Sequence, residues 1–147
     1  MVTEIEFSTL VKASYSFLEN DYGYNFVGVV DSQRLISVSY RKDELMVVIR
    51  YSRVNAYIEV DIYNHISKVK PGAYSWRYGL MLVLLVRKLN PEFDYDAIMP
   101  HNIPLNESVS RTATLLKYYG DSILNGIEWI SDGDITGHNQ YVPPELP

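Results

Sequence analysis

The N-terminal pattern of apolar positions predicts an amphipathic helix. Apolar side chains recur at helical spacing from Phe7 to Leu18, with polar residues between them, as in a helix that buries one face. Thr3 and Glu6 form a capping box, in which each side chain can accept a hydrogen bond from the other residue's free backbone N–H. We therefore predict a helix over residues 4–19.

The hydrophobic period then changes from 3.6 to 2. Apolar and polar residues alternate over residues 36–40 and 54–62, and between these runs Leu45, Val47, Ile49 and Tyr51 lie on one face of a further run. Strict alternation indicates antiparallel strands with one buried and one solvent-exposed face. Residues 26–30 are a candidate for one more short strand, so three or four strands are expected. On the clearest strand, the face predicted to be exposed carries Asn55, Tyr57, Glu59, Asp61 and Tyr63.

The remaining chain predicts two helices. Residues 76–89 are apolar nearly all round, which is typical of a mostly buried helix. Residues 91–105 contain three prolines and are expected to form an ordered loop, after which Asn106 or Ser108 caps a last helix that ends near Gly126. Gly120, on the apolar stripe of that helix, would allow a neighbouring element to approach closely.

These elements predict a single α+β domain over residues 1–130. It has an N-terminal helix, an antiparallel sheet of three or four strands, and two C-terminal helices packed on one sheet face. The segment 131–147 is rich in Gly, Pro and Asp and is expected to be a loose tail.

Composition narrows the classes of function. The chain of 147 residues has no cysteine, and its longest apolar run, residues 79–86, is far shorter than a bilayer requires. The acidic N-terminus lacks the basic start of a signal peptide, so we expect a cytoplasmic protein that does not enter a membrane. The net charge of −5 disfavours nucleic acid as a partner and suits a basic protein, although it also suits simple solubility.

Candidate catalytic groups are few. His65, His101 and His138 have no metal-ligand spacing to other residues, so we predict neither a metal site nor a cofactor. Glu59 and Asp61 alternate on one strand face, roughly 6–7 Å apart, within the range of glycosidase carboxylate pairs. A solvated acidic strand face explains them more simply, and no known catalytic motif occurs. We therefore predict no catalytic residues and a protein that is not an enzyme.

Tyrosine is unusually abundant, with 13 of the 147 residues. Tyrosine offers a large contact area, few rotatable bonds and a polar tip, which favour it at interfaces. Tyr57 and Tyr63 flank Glu59 and Asp61 on the face predicted to be exposed. These four residues are the candidate partner-binding site, with cross-strand pairing that only stiffens the sheet as the alternative.

Three segments carry a resemblance to a known group of proteins. Residues 17–24 read Phe-Leu-Glu-Asn-Asp-Tyr-Gly-Tyr, with Tyr24 where the group more usually has Phe, and residues 50–62 and 117–126 follow in order. Together they resemble small bacterial proteins encoded beside polymorphic, contact-dependent inhibition toxins. The resemblance covers under a quarter of the chain and carries over no binding residues, since those surfaces vary with the toxin.

The resemblance implies an immunity protein that neutralises a cognate toxin by occluding its active site. An acidic surface would suit a basic nuclease, because nucleases carry positive charge for phosphate. Two other hypotheses remain open: a small-molecule enzyme or sensor that uses Glu59 and Asp61, and a structural or adaptor protein that self-associates through the sheet face. The oligomeric state stays open at this point.

Overall fold

The computed structural model describes residues 1–64, 78–100 and 102–127. The five strands are β1 (Asn25–Asp31), β2 (Leu35–Lys42), β3 (Leu45–Ser52), β4 (Tyr57–Asn64) and β5 (Tyr78–Met81). The six helices of these ranges are α1 (Glu4–Ser14), α2 (Ser16–Asn20), α3 (Leu82–Leu89), α4 (Tyr95–Ile98), α5 (Leu105–Tyr119) and α6 (Asp121–Leu124). The predicted α+β class is confirmed.

The strands form one antiparallel sheet in chain order, β1 to β5. The prediction of three or four strands is therefore wrong by at least one. The additional strand, β5, lies inside the segment predicted to be a buried helix, and α3 begins only at Leu82. The cause is that a uniformly apolar run has no periodicity that separates a buried strand from a buried helix.

The turns between the central strands fix where each strand begins. Asp43, with φ of 51°, lies in the tight turn between β2 and β3. Ala56, with φ of 54°, closes the next turn, and β4 starts only at Tyr57. Val54 and Ala56 therefore do not belong to the strand, contrary to the prediction, and the Val54 side chain is exposed.

The predicted N-terminal helix is interrupted at one residue. The Thr3 hydroxyl accepts a hydrogen bond from the Glu6 backbone N–H at 3.1 Å, as the capping box predicts. Tyr15, with ψ of 16°, leaves helical geometry and separates α1 from α2. The Tyr15 side chain is fully buried and its hydroxyl donates to Thr112 in α5 at 2.7 Å, so the break coincides with a buried contact to a distant helix.

The C-terminal helices also depart from the prediction. The proline-rich segment 91–105 contains the short helix α4, and α5 begins at Leu105, after Pro104, rather than at Asn106 or Ser108. Gly120 separates α5 from α6. A Cβ there would lie 2.6 Å from the Leu116 carbonyl oxygen of its own helix, so this glycine relieves a local clash rather than admitting a neighbour.

One large core joins the helices to one face of the sheet. Alternate residues of β2, β3 and β4 enter it together with apolar side chains of α1, α3 and α5. The sheet contributes Ile36, Val38, Tyr40, Val47, Ile49, Ile58, Val60 and Ile62, and the helices contribute Phe7, Val11, Leu82, Leu85, Val86, Val109, Ala113 and Leu116. The opposite sheet face therefore carries the residues that the sequence predicts as the binding site.

Some predictions concern residues outside the described ranges. These are the three histidines, His65, His101 and His138, and the predicted loose tail, residues 131–147. Within the ranges that the structure does describe, no helix has both the length and the apolar character needed to cross a membrane.

Candidate binding surface on the sheet

The four predicted partner-binding residues share one face of β4. The antiparallel register places Tyr57, Glu59, Asp61 and Tyr63 opposite Ser52, Arg50, Val48 and Met46 of β3. Their environments differ along the strand, however. Tyr57 is 42% exposed and Glu59 is half-buried, whereas Asp61 and Tyr63 are fully buried. The prediction that this whole face is solvent-exposed is therefore wrong for Asp61 and Tyr63.

A buried polar cluster explains why Asp61 and Tyr63 leave solvent. The Arg50 guanidinium forms an ion pair with the Asp61 carboxylate, and it also donates a hydrogen bond to the Tyr63 hydroxyl at 3.1 Å. Burial alone disfavours the charged guanidinium and lowers the Arg50 pKa, but Tyr63, Asp61 and Glu59 more than offset it, so that the pKa is raised overall. Arg50 therefore stays charged, and its positive charge allows Asp61 to be buried as a partner.

The apolar neighbours of this cluster complete the covered part of the face. Met46, Val48 and Tyr63 pack as a second, small group of buried side chains, separate from the main core. The sheet is thus buried on both faces toward the Tyr63 end of β4, and accessible on one face toward the Tyr57 end.

A hollow of about 310 Å³ lies at the accessible end. It is lined by residues of β2, β3 and β4 and of the turns before β2 and after β3: Arg34, Leu35, Arg50, Ser52, Val54, Asn55, Tyr57 and Glu59. We call the surface formed by Leu35, Val54, Tyr57 and Glu59 the sheet-end patch. With Val54 73% exposed and Tyr57 beside it, the patch is apolar and aromatic.

The charge of the hollow differs from the acidic surface that the sequence suggests. Among the described residues that line it, Glu59 alone carries a carboxylate, and Arg34 and Arg50 also line the hollow. Asp61, the second acid of the predicted surface, faces Arg50 in the buried cluster. In the hollow, Glu59 therefore lies beside Arg34 and the buried, ion-paired Arg50, a mixed pattern that favours directional ion pairs over general attraction to a basic surface.

The same geometry bears on whether Glu59 and Asp61 could act together as a pair of catalytic carboxylates. General acid–base work by two carboxylates requires both groups to face one open site. Glu59 lines the hollow, but the Asp61 carboxylate is engaged with Arg50 beneath the surface. The two acids share a strand face without sharing an open site.

Among the described residues, most of the ionisable groups with a shifted pKa are buried or partly buried tyrosines. Burial raises the pKa of Tyr40 to about 12, and burial followed by a hydrogen bond to Asp121 raises the pKa of Tyr22 to about 12. The Tyr22 hydroxyl donates to Asp121 at 2.6 Å, and that of Tyr24 donates to the Leu124 carbonyl at 3.0 Å. These two tyrosines contact the two ends of α6, so part of the tyrosine content serves the core.

The sequence missed the role of Arg50. An arginine between Ile49 and Tyr51, inside an otherwise apolar strand, was a usable signal, because a buried cation requires a nearby acid. Leu35 and Val54 gave no such signal, since their place beside Tyr57 depends on strand register and turn geometry.

Across the described portion of the chain, no three histidine, aspartate or glutamate side chains are grouped to hold a metal ion.

The fold and this surface define an α+β protein with a five-stranded antiparallel sheet, one face of which is partly accessible. No protein-family model matches the chain, and no curated protein and no solved structure is significantly similar to it.

Proposed function

We propose that this chain is a protein-binding inhibitor, an immunity protein that neutralises a cognate toxin, rather than an enzyme. The observation that carries the proposal is the sheet-end patch, where exposed Tyr57 and Val54 adjoin Glu59 around a hollow on a regular sheet. A rigid aromatic anchor beside a charged side chain and a small pocket is the usual composition of an interface hot spot.

The buried cluster supports this proposal by fixing the strand that carries the patch. Arg50 lies directly opposite Glu59 in the register and holds Asp61, two residues further along β4. Tyr57 and Glu59 therefore project from a strand that is anchored at its other end. A preorganised surface loses less conformational entropy on binding, which favours tight association.

Charge supports a basic partner at longer range. The chain carries a net charge of −5, with a balance of −1 over residues 1–73 and −4 over residues 74–147. Such a field speeds the approach of a positively charged protein, and a toxin that acts on nucleic acid would carry that charge. As an immunity protein, the chain would act in the cytoplasm of the producing cell.

The first experiment uses the full chain as bait in lysate from its native host, with mass spectrometry to identify captured proteins. We expect one stoichiometric partner that stays bound at moderate salt. When it is expressed alone, this partner should stop bacterial growth, and co-expression of the chain should restore growth. A captured partner that is not toxic, or whose toxicity the chain does not relieve, contradicts the proposal.

The second step tests the surface. The double variant Tyr57→Ala and Glu59→Ala should weaken binding of the captured toxin at least about 30-fold, since hot-spot truncation costs at least about 2 kcal/mol. The matched control is Glu4→Ala with Ile5→Ala, which removes one exposed acid and one exposed apolar side chain from α1. Equal effects of the two double variants would show that the toxin binds elsewhere.

A further inference from the structure

A second accessible hollow lies on the helical side of the fold. The chain between α3 and α5 forms a hollow of about 430 Å³ lined by Asn90, Glu92, Phe93, Asp94, Ala97 and Ile98. We call it the α4 hollow. Ile98 is 40% exposed and Phe93 is half-buried, so apolar surface is accessible there.

Contacts to α5 hold the α4 hollow in shape. The Asn90 side-chain amide donates to the Tyr119 hydroxyl at 3.1 Å, and the Phe93 and Tyr119 rings meet edge to face at 6.1 Å. Arg111 of α5 donates to the Ile98 carbonyl oxygen. Asp94 accepts from the Ala97 backbone N–H at 3.1 Å and caps α4. The hollow is therefore formed before any partner arrives.

An exposed tyrosine extends this surface. The Tyr118 ring lies 4.9 Å from the Tyr119 ring in an edge-to-face arrangement and is 77% exposed. Tyr119 in turn contacts Phe93, so the aromatic surface runs from the hollow onto the end of α5. An exposed tyrosine ring can accept a guanidinium or ammonium group over its face.

The charge around the α4 hollow is negative on balance, since the Arg111 guanidinium at Ile98 is itself paired with Glu107. Glu92, Asp94 and Asp96 are all exposed and lie within five residues of one another. Arg87 approaches Asp96 at only 4.0 Å, with both side chains largely exposed, and such a pair contributes little. Within the described ranges, no lysine or arginine forms an ion pair with Glu92 or Asp94. This rim, unlike the sheet-end patch, can attract a cation.

We propose that the α4 hollow is a docking surface for a basic segment of a partner protein. An apolar side chain of that segment enters the hollow against Phe93 and Ile98. A basic side chain on one side of it contacts the Glu92 and Asp94 carboxylates, and a basic side chain on the other side contacts the exposed Tyr118 ring. The inference is independent of the sheet-end patch and holds whether or not the partner is a toxin.

The test is a titration of the full, isotope-labelled chain with a short peptide, Gly-Ser-Arg-Leu-Lys-Gly-Ser, followed by two-dimensional NMR. We expect chemical-shift changes concentrated at residues 90–98, 118 and 119, which weaken as salt is raised. A peptide with glutamates in place of the two basic residues should produce none of these changes. Absence of changes with the basic peptide at millimolar concentration, or changes confined to other surfaces, overturns the inference.

Variants separate this surface from a general effect of net charge. The double variant Glu92→Gln with Asp94→Asn should weaken binding of the basic peptide about fivefold, since two exposed ion pairs contribute about 0.5 kcal/mol each. Asparagine keeps the cap of α4. The control, Glu4→Gln with Glu6→Gln, makes the same change in charge on α1, where glutamine still suits the capping box.

The control variant should leave the affinity unchanged, and Tyr118→Ala should reduce it about threefold through the lost cation–π contact. If both charge variants weaken binding equally, the peptide senses only net charge and the inference fails. The Tyr57 and Glu59 variants should have no effect on this peptide, so failure of the α4 hollow and failure of the sheet-end patch are distinguishable.

Discussion

The buried ion pair between Arg50 and Asp61 gives the sharpest test of how the sheet is stabilised. The side chains are 8% and 1% exposed, so removing either one leaves a charge in a poorly solvated site. Such single removals cost about 3–5 kcal/mol. Because Tyr63 still accepts a hydrogen bond from Arg50, we expect Asp61→Leu to fall near the lower end, at about 3 kcal/mol.

The double variant should behave differently from the sum of the single ones. Arg50→Met with Asp61→Leu replaces both charges by apolar groups of similar size, a change that is often nearly neutral. A double-mutant cycle should therefore return a coupling energy well above the roughly 0.5 kcal/mol expected of independent sites. The coupling measures the cost of leaving one charge alone, rather than the net contribution of the pair.

Urea unfolding followed by circular dichroism measures these differences. With a denaturant slope of about 2 kcal/mol per molar, a loss of about 3 kcal/mol lowers the midpoint by about 1.5 M. The exposed i,i+4 pair of Glu107 and Arg111 is the control, and Glu107→Gln should cost only about 0.5 kcal/mol. Single variants at Arg50 or Asp61 that cost as little as this control, or a double variant that is simply additive, would refute the reasoning.

Two further predictions concern the buried tyrosines. Thr112→Val should cost about 1–3 kcal/mol, because it leaves the buried Tyr15 hydroxyl without its hydrogen-bond partner. Tyr15→Phe should cost only about 1 kcal/mol, because Thr112 then keeps its hydrogen bonds to the Ser108 and Val109 carbonyls. Urea unfolding midpoints measure both costs, and the reverse order would contradict this account. Stability should also fall at alkaline pH. Burial raises the folded-state pKa values of Tyr22, Tyr40 and Tyr95 from the unfolded value near 10 to about 12, and it also raises those of Tyr15 and Tyr24. The stability that the first three contribute is therefore fully present below about pH 10 and is lost as the pH rises through about 12. Tyrosinate absorbance should therefore rise at a higher pH in the native chain than in the urea-unfolded chain. Coincident titration curves for the two states would contradict the prediction. The residues concerned are Tyr15, Tyr22, Tyr24, Tyr40 and Tyr95.

The sequence alone predicted those features that depend on neighbouring residues. Strict alternation predicted β2 and most of β4, and the spacing of Leu45, Val47, Ile49 and Tyr51 on one face predicted β3, because side chains on a strand alternate faces with a period of two. The capping box at Thr3 and Glu6 fixed the start of α1, since the bond it predicts spans only three residues. The shared face of Tyr57, Glu59, Asp61 and Tyr63 followed from the same alternation.

Only the tertiary structure decided which of these residues a partner can reach. The alternating pattern assigns Asp61 and Tyr63 to a polar face, but it does not show that Arg50 of the adjacent strand pairs with Asp61 and accompanies it into a buried site. The strand β5 was hidden for a related reason, because its apolar residues suit a buried helix equally well until β4 is present to pair with them. Burial and strand pairing depend on contacts between residues far apart in the chain, so a local pattern does not predict them.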